Sequence, residues 1–466
     1  MTTNRFELDQ ERIATTDEQG HRVYLYPEDV KGVWKDRRTV VYWFLIGVYL
    51  IMPWIYVNHK PSLMIDIFKR EFTFMGSTFY GVEPILFFLI VAFLLFFIAF
   101  MTSLFGRVWC GWACPQTVFI QALFLKIETF IEGSARERRA QEKSPKTTRM
   151  YLKKFLKWII FTIISLHIAH TLVGYFTGPR ELFYITMHSP AEHFGIFTAT
   201  MIITSIFLLD FGWFREQFCI IACPYGRMQS VMMDENSSII MYDVKRGEPR
   251  RGSVNATNTG EGDCINCYNC VKVCPTGIDI RRGTQLECIA CTNCIDACDE
   301  IMIKIKKPKG LIRFGSENEV NGLKRNLFTG RSMVYATISL VFIGAFIFFL
   351  NDSSKLDLIF IRGTDTYSLS DNEITNRFAL KITHQGDRTY KVKFNLKDQS
   401  LNSKIKIITP QSPLELSQHE KKIIIFFKFE KSLLESGSKK IDIDVYDEVQ
   451  NKIVTTKEVV LVGPTN

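Results

Sequence analysis

No cysteine follows Cys298 in this chain of 466 residues. Whatever the residues beyond it form is therefore held by packing, without a disulfide. Charge is missing from five stretches, Thr39 to His59, Pro84 to Gly106, Trp158 to Pro179, His193 to Leu209 and Ser332 to Asn351, which run for 21, 23, 22, 17 and 20 residues. These runs, which concentrate the 38 phenylalanines, exclude a wholly water-soluble chain. About 20 apolar residues span the hydrocarbon core, so five crossings are expected, the fourth at the short limit. No small-residue cleavage site follows the first run and about 38 mostly polar residues precede it, so no secretory leader is expected. A nucleic-acid module is also lacking, which leaves the net charge of +9 to be explained by membrane topology rather than by nucleic acid.

Positive residues stay on the cytoplasmic side of short loops. Residues 106 to 157 carry eleven lysines and arginines, among them Arg136, Arg138, Arg139, Lys153 and Lys154, against three in residues 58 to 83 and Arg180 alone in residues 178 to 193. The expected topology puts the N-terminus in the cytoplasm and the tail after residue 351 in the periplasm of a bacterial inner membrane. All 12 cysteines then fall at the reducing cytoplasmic face or adjacent helix ends. A basic amphipathic helix over residues 126 to 157 is expected to lie along the membrane surface.

Two motifs carry the chemistry. Cys264-x2-Cys267-x2-Cys270-x3-Cys274-Pro275 and Cys288-x2-Cys291-x2-Cys294-x3-Cys298 have the spacing that binds a pair of [4Fe-4S] clusters, the fourth cysteine of each run ligating the other cluster. One set is then Cys264, Cys267, Cys270 and Cys298, and the other is Cys288, Cys291, Cys294 and Cys274. Zinc, the rival for C-x2-C pairs, wants four thiolates per ion from two closely spaced pairs, so the three-then-one spacing favours iron-sulfur. Asp299 stands where a second proline often sits, which changes the turn behind the ligands.

The second motif repeats. Cys110-x3-Cys114-Pro115 and Cys219-x3-Cys223-Pro224 lie 109 residues apart, each after an apolar run and a Phe-Gly pair. The membrane part reads as two helix pairs with the same cap. Four soft sulfurs there suit Cu(I), zinc or a further iron-sulfur centre, against the alternative that small thiols simply pack the helix ends. His167 and His170 share a helical face in the third run, as candidate ligands for copper or haem, as a quinone site, or as hydrogen-bonded glue between helices. His188 and His193, beside Met187, are surface residues or a copper entry site, and Asp210 is a candidate partner for Arg107 or Arg215. Beyond the fifth run the pattern turns to period two at Phe378 to Ile382, Tyr390 to Leu396, Lys404 to Ile408, Lys422 to Phe429, Ile441 to Val445 and Ile453 to Val460. Six or seven short strands predict an immunoglobulin-like sandwich that binds or scaffolds.

The expected fold class is an α-helical polytopic membrane protein of five helices with a ferredoxin-like two-cluster insert and a C-terminal immunoglobulin-like β-sandwich. Its segments are 1–38 cytoplasmic, 39–224 a four-helix membrane domain, 225–331 the two-cluster domain, 332–351 the fifth helix and 352–466 the periplasmic sandwich. Taken in order, and with the stretch Arg107-Val108-Trp109-Cys110-Gly111-Trp112-Ala113-Cys114-Pro115, the chain resembles the CcoG/FixG/RdxA family of cytochrome c oxidase accessory proteins. The resemblance implies a role in maturing a cbb(3)-type oxidase, with reduction of Cu(II) to Cu(I). The four C-x3-C-P cysteines match the family's cap cysteines, and the eight others match its cluster ligands. Implied partners are the lipid bilayer, oxidase subunits or copper-delivery proteins, and an unidentified electron donor, with a homodimer left open. Haem, too, stays open as a cofactor. Two other classes remain: a quinol dehydrogenase feeding a periplasmic redox partner, and a redox-sensing assembly scaffold.

Overall fold

A computed structural model describes residues 19, 23–57, 60–66, 71–75, 77–80, 84–251, 262–320, 322–352, 356–362, 367–370, 373–384, 390–416, 420–434, 437–449 and 451–464. Among these, five helices are long and apolar enough to cross a membrane: Phe88–Phe105, Val108–Glu132, Thr148–Thr177, Phe194–Phe214 and Gly330–Phe349. The chain is a multi-pass membrane protein.

Four of the five coincide with the expected runs, and one does not. Thr39 to His59 yields helix Val33–Ile51, which opens on Lys35, Asp36, Arg37 and Arg38 and ends in a 3-10 turn at Met52–Trp54. Its uncharged α-helical part therefore rises only about 20 Å. Asn58 and His59 of that run lie outside the described residues. The fifth long apolar stretch is instead Val108–Glu132, half buried within the fold and broken into pieces at Cys114. The surface helix expected over 126–157 is likewise corrected. Gly133, at φ 97°, stops one helix at Glu132. Ser134 and Glu137 then form a reciprocal capping box that starts helix Ala135–Lys143, and the next helix begins at Thr148.

A buried ion network ties these pieces together. Glu128, 1% exposed, accepts from Arg138 at 2.6 Å, Arg215 at 2.8 Å and Lys157 at 3.1 Å, and Lys157 also reaches Glu132 at 2.7 Å. Phe124, Phe161 and Phe211 pack beside it in a shared apolar core.

The cysteine-rich segment lies between two antiparallel strands, Ile239–Tyr242 and Ile312–Gly315, in the register Ile239 to Gly315. Of the tetrapeptide 260–263 at its entrance, Gly260 and Glu261 lie outside the described residues.

The C-terminal unit is a two-sheet sandwich. Its strands are β1 Leu356–Arg362, β2 Ser368–Ser370, β3 Glu373–His384, β4 Tyr390–Leu396, β5 Ile405–Ile408, β6 Leu414–Leu416, β7 Glu420–Glu430, β8 Ser438–Asp447 and β9 Lys452–Val462. One sheet runs β5–β7–β3–β1 with β2 on β3, and the other runs β6–β4–β8–β9. Leu380, Ile425 and Phe427 from the first sheet meet Ile443, Val445 and Leu461 from the second, all fully buried. Asn376, buried on β3, clamps the two sheets: its amide donates to the Val462 carbonyl at 2.8 Å, and its oxygen accepts the Val462 N–H at 2.7 Å. No cysteine is needed to hold this core.

Candidate functional site: two cysteine-lined cavities and the thiol caps

A C-x2-C-x2-C loop must turn three sulfurs inward within seven residues. Each loop does so with two left-handed residues, Asn266 and Tyr268 (φ 57° and 59°) in the first, Ala290 and Thr292 (φ 53° and 65°) in the second. Cys264 and Cys288 stand 24 residues apart, as do Asn266 and Ala290, so the loops are copies. Such a conformation costs a non-glycine residue about 1–2 kcal/mol and persists where a site requires the shape. Helix Asn269–Lys272 follows the first loop and stops before Pro275, whereas helix Asn293–Lys304 runs straight through Cys298. Asp299, standing in place of a proline, permits that continuation, and its carboxylate accepts the Gly310 N–H at 2.9 Å.

Two cavities result. Cys264, Cys267, Cys270 and Cys298 line one, with Tyr268 and Arg281. Cys274, Cys288, Cys291 and Cys294 line the other, together with Cys270 and an isoleucine wall of Ile240, Ile278, Ile280 and Ile289. All eight cysteines are free. Around a single zinc the sulfurs would stand about 3.8 Å apart, yet among the described residues no three His, Cys, Asp or Glu side chains converge on one ion. Four thiols lining a small, mainly apolar space fit a multi-iron cluster. Burial pushes the Cys274 thiol up to about 11 and those of Cys288 and Cys298 up to about 12. These thiols stay protonated at neutral pH until a metal displaces the proton.

The caps are copies as well. A helical turn carries the first thiol, Cys110 in Val108–Trp112 and Cys219 in Phe218–Ala222. The second cysteine is extended, Cys114 at φ −62°, ψ 125° and Cys223 at φ −72°, ψ 111°, and the following proline opens a new helix. In both, the second cysteine's N–H reaches back five residues, to the Trp109 carbonyl at 2.9 Å and the Phe218 carbonyl at 2.8 Å. The two caps meet the second cysteine loop: Cys110, Cys219 and Tyr225 pack with Ile289 and Cys291. Gly111 allows the approach, since a Cβ there would stand 2.4 Å from the Ile289 carbonyl oxygen. The Tyr42 hydroxyl donates to the Gly111 carbonyl at 2.5 Å. Cys110 Sγ donates to Gln229 Oε1 at 3.4 Å, an oxygen that also accepts from Arg107 Nε at 2.7 Å.

The histidines stand apart from these sulfurs. His170 Nε2 lies 3.4 Å from the Thr186 hydroxyl on a neighbouring helix, and His167 is exposed on the outer face of its own. His188 packs against Tyr184, with ring centroids 4.0 Å apart and the rings tilted by 37°, and bonds its carbonyl. The expected ion pair of Asp210 with an arginine is corrected: Asp210 accepts from Gln116 at 2.9 Å, while Arg215 serves Glu128 and Arg107 serves Gln229. Sequence reasoning missed Tyr225 and Gln229, one turn apart on the helix after the second cap, and Tyr42, far from them along the chain; none matches a motif. Glu128 had a signal, a carboxylate inside an apolar stretch.

A family model described as a 4Fe-4S dicluster domain matches residues 214–317, and a second, described as a 4Fe-4S binding domain, matches 86–131 around the first cap. A third, for the IG-like fold at the C-terminal end of FixG, matches 346–464. Protein RdxA of Cereibacter sphaeroides is 34% identical over 80% of this chain and 82% of its own. The chain belongs to the CcoG/FixG/RdxA family. Protein RdxB of the same organism is 35% identical over 79% of this chain and 81% of its own, and the nitrogen fixation protein FixG of Rhizobium meliloti is 36% identical over 66% and 61%. A solved FixG-related protein from Vibrio parahaemolyticus covers 24% of this chain and 97% of its own, at 13% identity and TM-score 0.21. As a member of this family the chain is an iron-sulfur redox protein, and the FixG/RdxA type combines its membrane helices, cysteine loops and sandwich.

Proposed function

We propose that this protein passes electrons from two [4Fe-4S] clusters to Cu(II) at the cap thiols, releasing Cu(I) for assembly of the copper centre of a cbb(3)-type oxidase. The observation that carries the reading is the packing of Cys110 and Cys219, one from each cap, against Cys291 and Ile289 of the second cysteine loop. In this reading Cys264, Cys267, Cys270 and Cys298 hold one cluster, and Cys274, Cys288, Cys291 and Cys294 hold the other. When bound, each cluster supplies one-electron chemistry. The isoleucine wall keeps water from the second set of sulfurs. The left-handed residues fix the direction of the sulfurs, and Gly111 lets the cap backbone come against the loop. Cys110, Cys114, Cys219 and Cys223 present soft sulfurs, which favour Cu(I) over Cu(II) and so draw the substrate toward its reduced form.

The excess of lysine and arginine over residues 133–157 supports a cytoplasmic cluster segment and a periplasmic sandwich, which would engage the oxidase or a copper-delivery protein. His170, bonded to Thr186, serves helix packing in this account. In cells lacking this chain, the oxidase should retain its haem subunits but lose its copper, as read by metal analysis of the purified oxidase. Restoring the chain with Cys110 and Cys219 intact should restore the copper. An oxidase fully loaded with copper in the absence of the chain would reject this function.

A further inference from the structure

The two cysteine-lined cavities differ in the charges around them. Beside the Cys264, Cys267, Cys270 and Cys298 set, the cations are neutralised: Arg281 pairs with Asp279 at 2.6 Å, and Arg246 and Lys307 both pair with Asp263, at 2.5 Å and 2.7 Å. Asp299 adds a further negative charge next to Cys298. Beside the other set lie two buried guanidinium groups with no carboxylate partner among the described residues. Arg38, 3% exposed, donates to the Cys291 carbonyl and to Asn293 Oδ1, the latter at 2.7 Å, and its Nε has no partner. Arg107, 7% exposed, donates to Gln229 Oε1 at 2.7 Å, the oxygen that also accepts from Cys110 Sγ, whose side chain packs against Ile289 and Cys291 of the second loop. Neither arginine forms an ion pair among the described residues.

A buried cation with no counter-ion is costly unless a negative group stands nearby. Four thiolates and a net-negative iron-sulfur core in the adjacent cavity are such a group. Each added electron deepens that negative charge, so an unneutralised cation stabilises the reduced state, and low surrounding dielectric amplifies the effect. A cation already paired with a carboxylate gives little.

We propose that Arg38 and Arg107 act as positioning residues that set the electron on the Cys274, Cys288, Cys291 and Cys294 side, making transfer run from the Cys264 set toward the caps. The two cysteine loops are copies in backbone, so this charge asymmetry sets apart the surroundings of sulfurs that are otherwise presented alike. Its direction toward the caps rests on the reductase reading, but the order of potentials does not.

The test is an anaerobic redox titration of the full-length, iron-loaded protein in detergent, followed by EPR and with no copper present. The wild type should show two midpoints, the higher one being the signal perturbed by Cys288→Ser. Arg38→Gln and Arg107→Gln should each lower the higher midpoint about tenfold in electron preference, about 59 mV for one electron, and leave the lower midpoint in place. Arg38→Lys and Arg107→Lys, which keep the charge, should keep the midpoint. If Arg38→Gln fails to load the second cluster, Arg107→Gln decides. Unmoved midpoints in the glutamine variants, or a shift confined to the lower one, would overturn the inference. The predicted order of midpoints combined with clusters inert to Cu(II) would reject the reductase reading and leave this inference standing.

Discussion

Combining Cys110→Ser with Cys219→Ser should reduce Cu(II) turnover to the uncatalysed background while leaving iron content and the EPR spectrum of the reduced clusters unchanged. These two thiols belong to different caps, yet both touch the loop that carries Cys291, so removing them deletes soft sulfur where the caps meet the cluster segment. Serine preserves the shape and substitutes a hard oxygen, which does not favour Cu(I). Neither residue belongs to the two cluster-binding sets, so the iron count should hold. Turnover of the double variant within about twofold of wild type would remove the caps from the mechanism. A parallel loss of iron would show that the caps only support the loop.

Glu128→Gln should be the most destabilising single change in the membrane part. The carboxylate is 1% exposed and serves Arg138, Arg215 and Lys157, all of them buried. Removing its charge takes the carboxylate ion-pair partner from Arg138 and Arg215, while Lys157 keeps Glu132 at 2.7 Å. Breaking a buried pair by removing one partner costs about 3–5 kcal/mol because the remaining charge is stranded. The expected result is a loss of folded protein on heating in detergent, well below the wild-type midpoint. Adding Arg215→Gln to Glu128→Gln should recover part of the loss, since the two residues are coupled. A cost below about 1 kcal/mol would mean that water reaches the network and screens it.

The architecture was legible where the signal is local and periodic. Cysteine spacing located both loops, and their pseudo-repeat survives in the backbone as paired left-handed residues. The Cys-Pro steps gave the extended second cysteine of each cap, because proline restricts the residue before it. Six sandwich strands lay where alternation placed them. The missed strands have physical reasons. In β1 both faces are apolar, with Leu356 and Leu358 buried and Ile359 and Ile361 exposed, so no alternation appears. Strands β2 and β6 are three residues long and carry no period.

Helix boundaries failed where tertiary packing decided them. The apolar count joined Thr39 to His59 into one span, but the α-helix ends at Ile51. It passed over Val108–Glu132, whose Lys126, Glu128 and Glu132 look like surface charge until Glu128 and Glu132 are seen to be neutralised within the fold. Asp210 was expected to meet an arginine because opposite charges were the only clue, whereas Gln116 holds it and Glu128 holds Arg215. The convergence of the caps on Cys291 joins residues more than 70 positions apart in sequence, a relation that no window along the chain contains.

Reaction of the reduced protein with Cu(II) decides whether the clusters deliver electrons to copper. The full chain is purified anaerobically with roughly eight irons, reduced, freed of reductant, and mixed with Cu(II) in the presence of a Cu(I) chelator while EPR follows the clusters. The reduced-cluster signals should disappear as Cu(I) appears, close to one Cu(I) for each electron lost, and the Cys110→Ser, Cys219→Ser protein should keep its clusters reduced. Clusters that remain reduced in the wild-type protein while Cu(II) persists would contradict that delivery.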